Sequence, residues 1–104
     1  MEDKLLHESL INQFAALGDI TSRPLFGGVG LYWNNVIFAI VFGEKLYLKV
    51  DEQSRDDFVR KGMGPFRPNE RQTLKSYYEV PPDVVTETEN LLSWVKEAIR
   101  AAQS

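Results

Sequence analysis

The stretch from Arg23 to Val50 constrains the fold of this chain more than any other part of the sequence. Val36 to Phe42 is apolar at every position, which predicts a central strand that is covered on both faces. Asn34-Asn35 and Gly43-Glu44 flank this run, and each pair suits a two-residue hairpin turn. Since strands joined by such short turns must be antiparallel neighbours, the segment predicts a three-stranded meander.

Three glycines, at positions 27, 28 and 30, lie near the start of this segment. We interpret them as a bulge or bend between Leu25-Phe26, which could form a short extra strand, and the strand Val29 to Trp33. A phosphate-binding loop would instead open a helix and usually end in lysine followed by serine or threonine. Because Leu31-Tyr32-Trp33 follows here, the glycines are expected to shape the backbone rather than to bind a ligand.

Helices are predicted on both sides of the meander. Apolar residues at spacings of four, four and three indicate a first helix over residues 3–17. Asp51 is a good N-cap for a second helix, and Gly62 is a good stop for it. Phe58 and Val59 are the expected core contacts of this second helix.

The last third of the chain predicts a loop, a strand and a helix. Glycine and proline break any regular period over residues 62–69, which indicates a loop. Residues 73–80 alternate as a strand, with Leu74, Ser76, Tyr78 and Val80 on one face and Lys75, Tyr77 and Glu79 on the other. The final amphipathic helix is predicted over residues 87–102.

The element order is therefore α-β-β-β-α-β-α. This order predicts an α+β fold of two layers, with an antiparallel sheet of four to five strands and helices packed on it. A length of 104 residues suits one domain over residues 1–104. The apolar runs are far shorter than the ~20 residues that span a bilayer, so we expect a cytoplasmic protein without membrane contact.

Catalytic or metal-binding groups are not evident in the sequence. The chain has no cysteine, which excludes disulfides and thiolate chemistry. Its one histidine, His7, is expected on the polar side of the first helix. Asp56 and Asp57 are adjacent on a helix and therefore point in different directions. We predict no catalytic residues, no cofactor, no metal and no enzymatic activity.

Two groups of residues are candidates for contact with a partner. The first is a set of aromatic and lysine side chains on the sheet face opposite the main core, which suits a protein interface or, less directly, stacking on single-stranded nucleic acid: Tyr32, Tyr47, Lys49, Lys75 and Tyr77. The second is a basic segment, residues 55–75, of a chain whose net charge is −3, and its candidate contact residues are Arg55, Arg60, Lys61, Arg67 and Arg71.

Several short segments in a fixed order carry a family likeness over about residues 15–102. They are Thr21 to Tyr32, Phe38-Ala39, Leu46 to Asp51, Phe58, Gly62, Pro65-Phe66, Ser76 to Pro81 and Trp94. In these residues the chain resembles the TfoX/Sxy N-terminal domain family. The resemblance implies an α+β fold and a role in regulating bacterial competence or DNA uptake, and it offers no catalytic residues to transfer. Full-length members carry a second, C-terminal domain, and since 104 residues leave no room for it, we expect this chain to consist of the N-terminal domain alone.

Three functions remain as hypotheses. The preferred one is a non-enzymatic regulatory or adaptor domain that acts through protein contacts, with a homodimer as one form. The first alternative is nucleic-acid binding through the basic segment, which predicts strong salt dependence. The second alternative is an enzyme or small-ligand domain, which would need a polar pocket at the glycine-rich bend.

Overall fold

A computed structural model of the chain describes the backbone of residues 2–103 and side chains from Glu8 onward. The helices are α1 (Glu2–Phe14), α2 (Glu52–Arg60), α3 (Pro82–Val85) and α4 (Thr88–Gln103), and a 3-10 turn covers Ala15–Leu17. The strands are β1 (Ile20–Leu25), β2 (Gly28–Trp33), β3 (Val36–Phe42), β4 (Lys45–Lys49), β5 (Pro65–Asn69) and β6 (Gln72–Glu79).

All six strands form one antiparallel sheet in the order β1-β2-β3-β4-β6-β5. The described helices pack on one face of this sheet and share a core with it. The predicted two-layer α+β fold is thus confirmed. The strand count is six rather than four to five, because β1 is a full strand and β5 had been predicted as a loop.

The three turns of the β1–β4 meander are each closed by two residues with positive φ. The predicted turns are confirmed at Asn34-Asn35, with φ of 51° and 68°, and at Gly43-Glu44, with φ of 58° and 62°. A third turn, at Phe26-Gly27, has φ of 54° and 85°. Such turns match the twist of the strands they join, so the glycine-rich stretch forms a hairpin rather than the predicted bend.

A β-bulge does occur in this meander, but it lies away from the glycines. Leu31 pairs with Ala39 and Tyr32 with Ile37, so Phe38 is the extra residue of β3. Because one extra residue reverses the alternation of faces, Phe38 and Ala39 both join the helix-side core. Ile40 then lies on the opposite face.

The edge strand β5 corrects the predicted loop at residues 62–69. Within the described residues its one partner is β6, and the pairing is irregular. Proline lacks the N–H donor that a central strand needs, but one side of an edge strand has no partner, so proline is tolerated there. Pro65 and Pro68 therefore do not prevent pairing. The same irregular register places Leu74 against the face opposite the helices, whereas alternation predicted it beside Tyr78.

The main core lies between the sheet and the helices. Its fully buried side chains include Phe14 of α1, Phe38 of β3 and Val95 of α4. The rings of Phe14 and Phe38 have centroids 6.1 Å apart. The Trp33 indole Nε1 donates a 2.8 Å hydrogen bond to the Leu17 carbonyl, which ties the end of the first helical segment to the sheet.

The second helix begins at its predicted cap. Asp51 and Ser54 form a reciprocal capping box. Phe58 is buried as predicted, but Val59 is 54% exposed, so its predicted core contact is wrong. The buried residues of α2, Ser54 and Phe58, are four positions apart on one stripe, and Val59 is rotated by about 100° from it.

The first helix is confirmed as α1 followed by the 3-10 turn. The side chains of Leu6, the first residue of the predicted apolar stripe, and of His7 lie outside the described residues. The last helix is confirmed with bounds one residue later than predicted. Within residues 2–103, no helix is both long and apolar enough to span a membrane.

Candidate interaction face

The sheet side opposite the helices is here called the helix-free face. Its buried centre consists of Ile40, Phe66 and Tyr77, and half-buried apolar side chains surround them: Leu25, Ile37, Phe42, Tyr47 and Leu74. This face therefore has a small apolar cluster of its own. The described helices contribute no side chain to that cluster.

Phe66 of β5 organises the aromatic part of this face. Its ring centroid lies 4.7 Å from that of Tyr47, 5.4 Å from Phe42 and 5.9 Å from Phe26. Phe26 belongs to the β1–β2 turn, whereas β5 is the opposite edge of the sheet. The contact between these two phenylalanines shows that the sheet curls around this face, and Phe26 remains 43% exposed at its rim.

Two glycines of β2 leave the space into which neighbouring side chains pack. A Cβ at Gly28 would overlap the carbonyl oxygen of Val41 and lie 3.2 Å from Phe42. A Cβ at Gly30 would lie 3.1 to 3.3 Å from side-chain atoms of Ile37, Leu25 and Tyr32. The glycines thus allow close approach of β3 to β2, which is a backbone role rather than a ligand-binding one. Because neighbouring backbone and side-chain atoms fill the space beside them, this hairpin gives no support to a ligand pocket.

Two cation–tyrosine pairs flank the apolar cluster. The guanidinium carbon of Arg23 lies 5.2 Å from the ring centroid of Tyr32, and Lys49 Nζ lies 5.2 Å from that of Tyr77. Strand pairing positions the second pair, because Lys49 and Tyr77 face each other across β4 and β6. Both distances suit cation–π attraction.

Tyr47 and Tyr77 of this face have raised pKa values. Burial, with a smaller electrostatic contribution from Tyr32, raises the pKa of Tyr77. Burial and then the charge of Glu79 raise the pKa of Tyr47. Their hydroxyl groups are therefore protonated at neutral pH.

The five predicted surface residues do not share one degree of exposure. Tyr47 and Tyr77 lie on the helix-free face, as alternation predicted, but Tyr77 is only 8% exposed. Tyr32 and Lys49 are half-buried, and Lys75 is exposed. Their role in binding stays a prediction. The structure adds Arg23 and Phe26, which the sequence reasoning missed because β1 had not been recognised as a strand.

The basic segment is spread over separate elements. Arg55 and Arg60 lie in α2, and Lys61 caps its end. Arg60 pairs with Asp57, and Lys61 Nζ lies 3.3 Å from Asp83 Oδ2. Arg67 of β5 and Arg71 of the following turn are exposed. Partner acids thus offset two of the five charges, and a role of this segment in nucleic-acid binding stays a prediction.

The helix side has a shallow cleft of about 120 Å³ where α2 approaches α4. Trp94 lies in its wall, with its ring edge-on to Phe58 at 4.7 Å. Near one end, Arg100 Nη1 lies 3.0 Å from Asp51 Oδ2, and Arg100 Nε donates a 2.7 Å hydrogen bond to Glu97. The Arg100–Asp51 ion pair and the Phe58–Trp94 contact tie the two helices together. Among the residues described here, no three or more His, Asp or Glu side chains form a metal site.

These features define a class of protein: a two-layer α+β domain with helices on one sheet face and an aromatic cluster, flanked by cations, on the other. The chain belongs to the TfoX N-terminal domain family, whose model matches residues 12–102. The resemblance noted in the sequence is thereby confirmed.

A curated relative supports the same assignment. The chain is 29% identical over 96 residues to the DNA transformation protein TfoX1 of Aliivibrio fischeri (strain ATCC 700601 / ES114). The alignment covers 90% of this chain and 46% of that protein, so the chain spans about half of the relative's length.

Proposed function

We propose that this chain is a non-enzymatic regulatory or adaptor domain that acts in DNA uptake, in the cytoplasm, through protein contacts made by the helix-free face. Membership of the TfoX N-terminal family and the name of the relative, a DNA transformation protein, support a role in DNA uptake. The observation that supports action through protein contacts is the composition of the helix-free face. It combines an apolar cluster, a 43% exposed Phe26 and two cation–tyrosine pairs.

Such a composition suits recognition of another protein. Aromatic residues and arginine are enriched in protein interfaces, where a ring supplies large contact area at a small cost in conformational entropy. Phe26 is a bulky residue at a turn position with φ of 54°, where asparagine or glycine is usual. A second copy of the chain is one partner that this face could accept.

The test uses two exposed apolar residues on opposite layers of the molecule. Phe26→Ala truncates the rim of the helix-free face, and Val59→Ala truncates α2 as the matched control. Each variant replaces the native gene in the source organism, and transformation frequency and captured partners are measured. We expect Phe26→Ala to lower transformation and partner capture, while Val59→Ala leaves both unchanged.

Two results would contradict the proposal. One is normal transformation with Phe26→Ala in a cell that loses transformation when the gene is deleted. The other is an equal defect in both variants. Unfolding midpoints of the purified variants check that neither effect comes from loss of the fold.

Nucleic-acid binding is the second candidate, and the exposure of Arg67 and Arg71 favours it. These residues lie close together in sequence at one end of the β5–β6 hairpin. Retardation of DNA or RNA at low salt, lost with Arg67→Ala and Arg71→Ala, would support this function. Absence of retardation at low salt would remove it.

A further inference from the structure

The charges of the helix-free face differ in sign from the charge of the whole molecule. Arg23 and Lys49 lie over tyrosine rings on this face. Glu79 of β6, which pairs with Tyr47, has its carboxylate 3.7 Å from Lys45 Nζ, and this lysine offsets its charge. The face is therefore locally positive in a chain whose net charge is −3.

The positions of these two cations over tyrosine rings favour an anionic ligand over a nucleobase. A base would need to stack on the ring face, but Arg23 and Lys49 already lie over the rings of Tyr32 and Tyr77. Tyr77 is, moreover, only 8% exposed. The cations keep charge-assisted hydrogen-bonding capacity for an incoming oxyanion.

The surface between the two cation–tyrosine pairs is apolar. Ile37 of β3 is half-buried there, and the aromatic cluster around Phe66 continues it toward the exposed Phe26. An extended peptide presents alternate side chains on opposite sides. Apolar side chains of such a peptide could cover this surface, while its carboxylates reach the flanking cations.

We propose that the helix-free face binds an acidic segment of a partner protein, with Arg23 and Lys49 pairing to its carboxylates and the apolar cluster covered by its hydrophobic side chains. This inference rests on the proposed adaptor function and specifies the chemistry of the partner. Charge complementarity selects the acidic segment, because opposite potentials favour encounter and exclude cationic competitors.

The test uses a defined probe and the whole chain. Fluorescence anisotropy measures binding of a fluorescein-labelled glutamate–tyrosine copolymer, with a lysine–tyrosine copolymer and an oligo-dT strand as the other arms. We expect the glutamate copolymer to bind more tightly than the other two. Added salt should weaken this binding.

The matched variants locate the binding site. The double variant Arg23→Gln/Lys49→Gln should weaken binding of the glutamate copolymer by at least about tenfold, since each cation is expected to make a charge-assisted contact. Lys96→Gln removes an exposed cation from α4, and Arg67→Gln removes one from the basic segment. Neither control should change the affinity by more than about twofold.

Several outcomes would overturn the inference: no binding of the glutamate copolymer, equal binding of the lysine copolymer, or equal loss in the control variants. Tighter binding of oligo-dT through Arg23 and Lys49 would assign the face to nucleic acid instead. The adaptor function is judged separately by Phe26→Ala in cells. If that variant loses its partner while the copolymer does not bind, the function stands and the acidic chemistry is wrong.

Discussion

At the scale of single residues, Gly28 marks the closest approach within the sheet. Its position in the sequence suggested only a bend, but the structure shows that a side chain there would overlap the Val41 carbonyl oxygen. Backbone cannot move aside as readily as the end of a flexible side chain. This glycine is therefore required by contact with β3 rather than by its own φ.

Substitution of Gly28 by alanine tests this contact. We expect Gly28→Ala to lower the free energy of unfolding by roughly 1–3 kcal/mol or more, as overpacking does in a core. Gly64→Ala is the control, because a Cβ at Gly64 meets no atom within 4 Å, and it should stay within about 1 kcal/mol of wild type. Urea unfolding measures both, and equal effects would contradict the assignment.

The second prediction at this scale concerns Asp51, whose contribution to stability depends on pH. The Ser54 backbone N–H, followed by Arg100, donates hydrogen bonds that lower the pKa of Asp51 from 3.8 to about 2. Because the pKa is lower in the folded than in the unfolded chain, ionised Asp51 stabilises the fold at every pH above 3.8. This contribution is lost as the pH falls from 3.8 toward 2.

Asp51→Asn keeps an N-cap but removes the charge. The variant should be less stable than wild type at neutral pH, and the difference should shrink as the pH falls through this window. Urea midpoints at a series of pH values measure it, with Asp56→Asn as a control on the same helix outside the capping box. A difference that is constant down to pH 2 would contradict the ionic contribution of Asp51.

At the scale of elements, β5 depends on its contacts more than on its own sequence. Pro65 and Pro68 oppose strand formation, and the pairing with β6 is irregular. Phe66 is nevertheless fully buried against rings from three other elements: Phe26, Phe42 and Tyr47. Burial of this one ring explains why a segment with loop composition lies along the sheet.

Truncation of Phe66 tests this explanation. Phe66→Ala should destabilise the protein by roughly 3–5 kcal/mol, because it removes a fully buried ring. Arg67→Ala changes the next, exposed residue of the same strand and should stay within about 0.5 kcal/mol of wild type. Unfolding in urea compares the two variants. A small effect at Phe66 would show that other contacts hold β5.

At the scale of the whole molecule, β1 forms one edge of the sheet and β5 the other, and the β1 edge is the one that limits pairing. Residues that flank a two-residue turn form a hydrogen-bonded pair. Since Leu25 pairs with Gly28, alternation directs the backbone groups of Ile20, Ser22 and Pro24 away from β2. Pro24 lacks an N–H there, which limits pairing of the β1 edge with another chain.

Hydrogen exchange should follow this arrangement. Amides of β3, which is covered on both faces, should exchange most slowly, and the outward amides of Ile20 and Ser22 should exchange fastest among the strands. Exchange measured by NMR over a range of protein concentrations checks this. Protection of Ile20 and Ser22 that grows with concentration would instead indicate a homodimer that pairs through β1.

Local patterns in the sequence were enough to predict the fold class, the hairpin turns at Asn34-Asn35 and Gly43-Glu44, the capped second helix and the family. These features depend on residues close together in the chain, where turn preference and periodicity act directly. Membership of the family followed from short segments in order, without any knowledge of contacts between them.

Only the tertiary structure decided which distant residues meet on the helix-free face. The bulge at Phe38 reversed the alternation within β3, and the irregular pairing of β5 moved Leu74 to the other face. Burial of Phe66 holds a segment with a proline-rich loop pattern in the sheet as an edge strand. Strand pairing places Arg23 near Tyr32 and Lys49 near Tyr77. Strand register and packing between remote segments set these positions, and a local pattern carries no information about either.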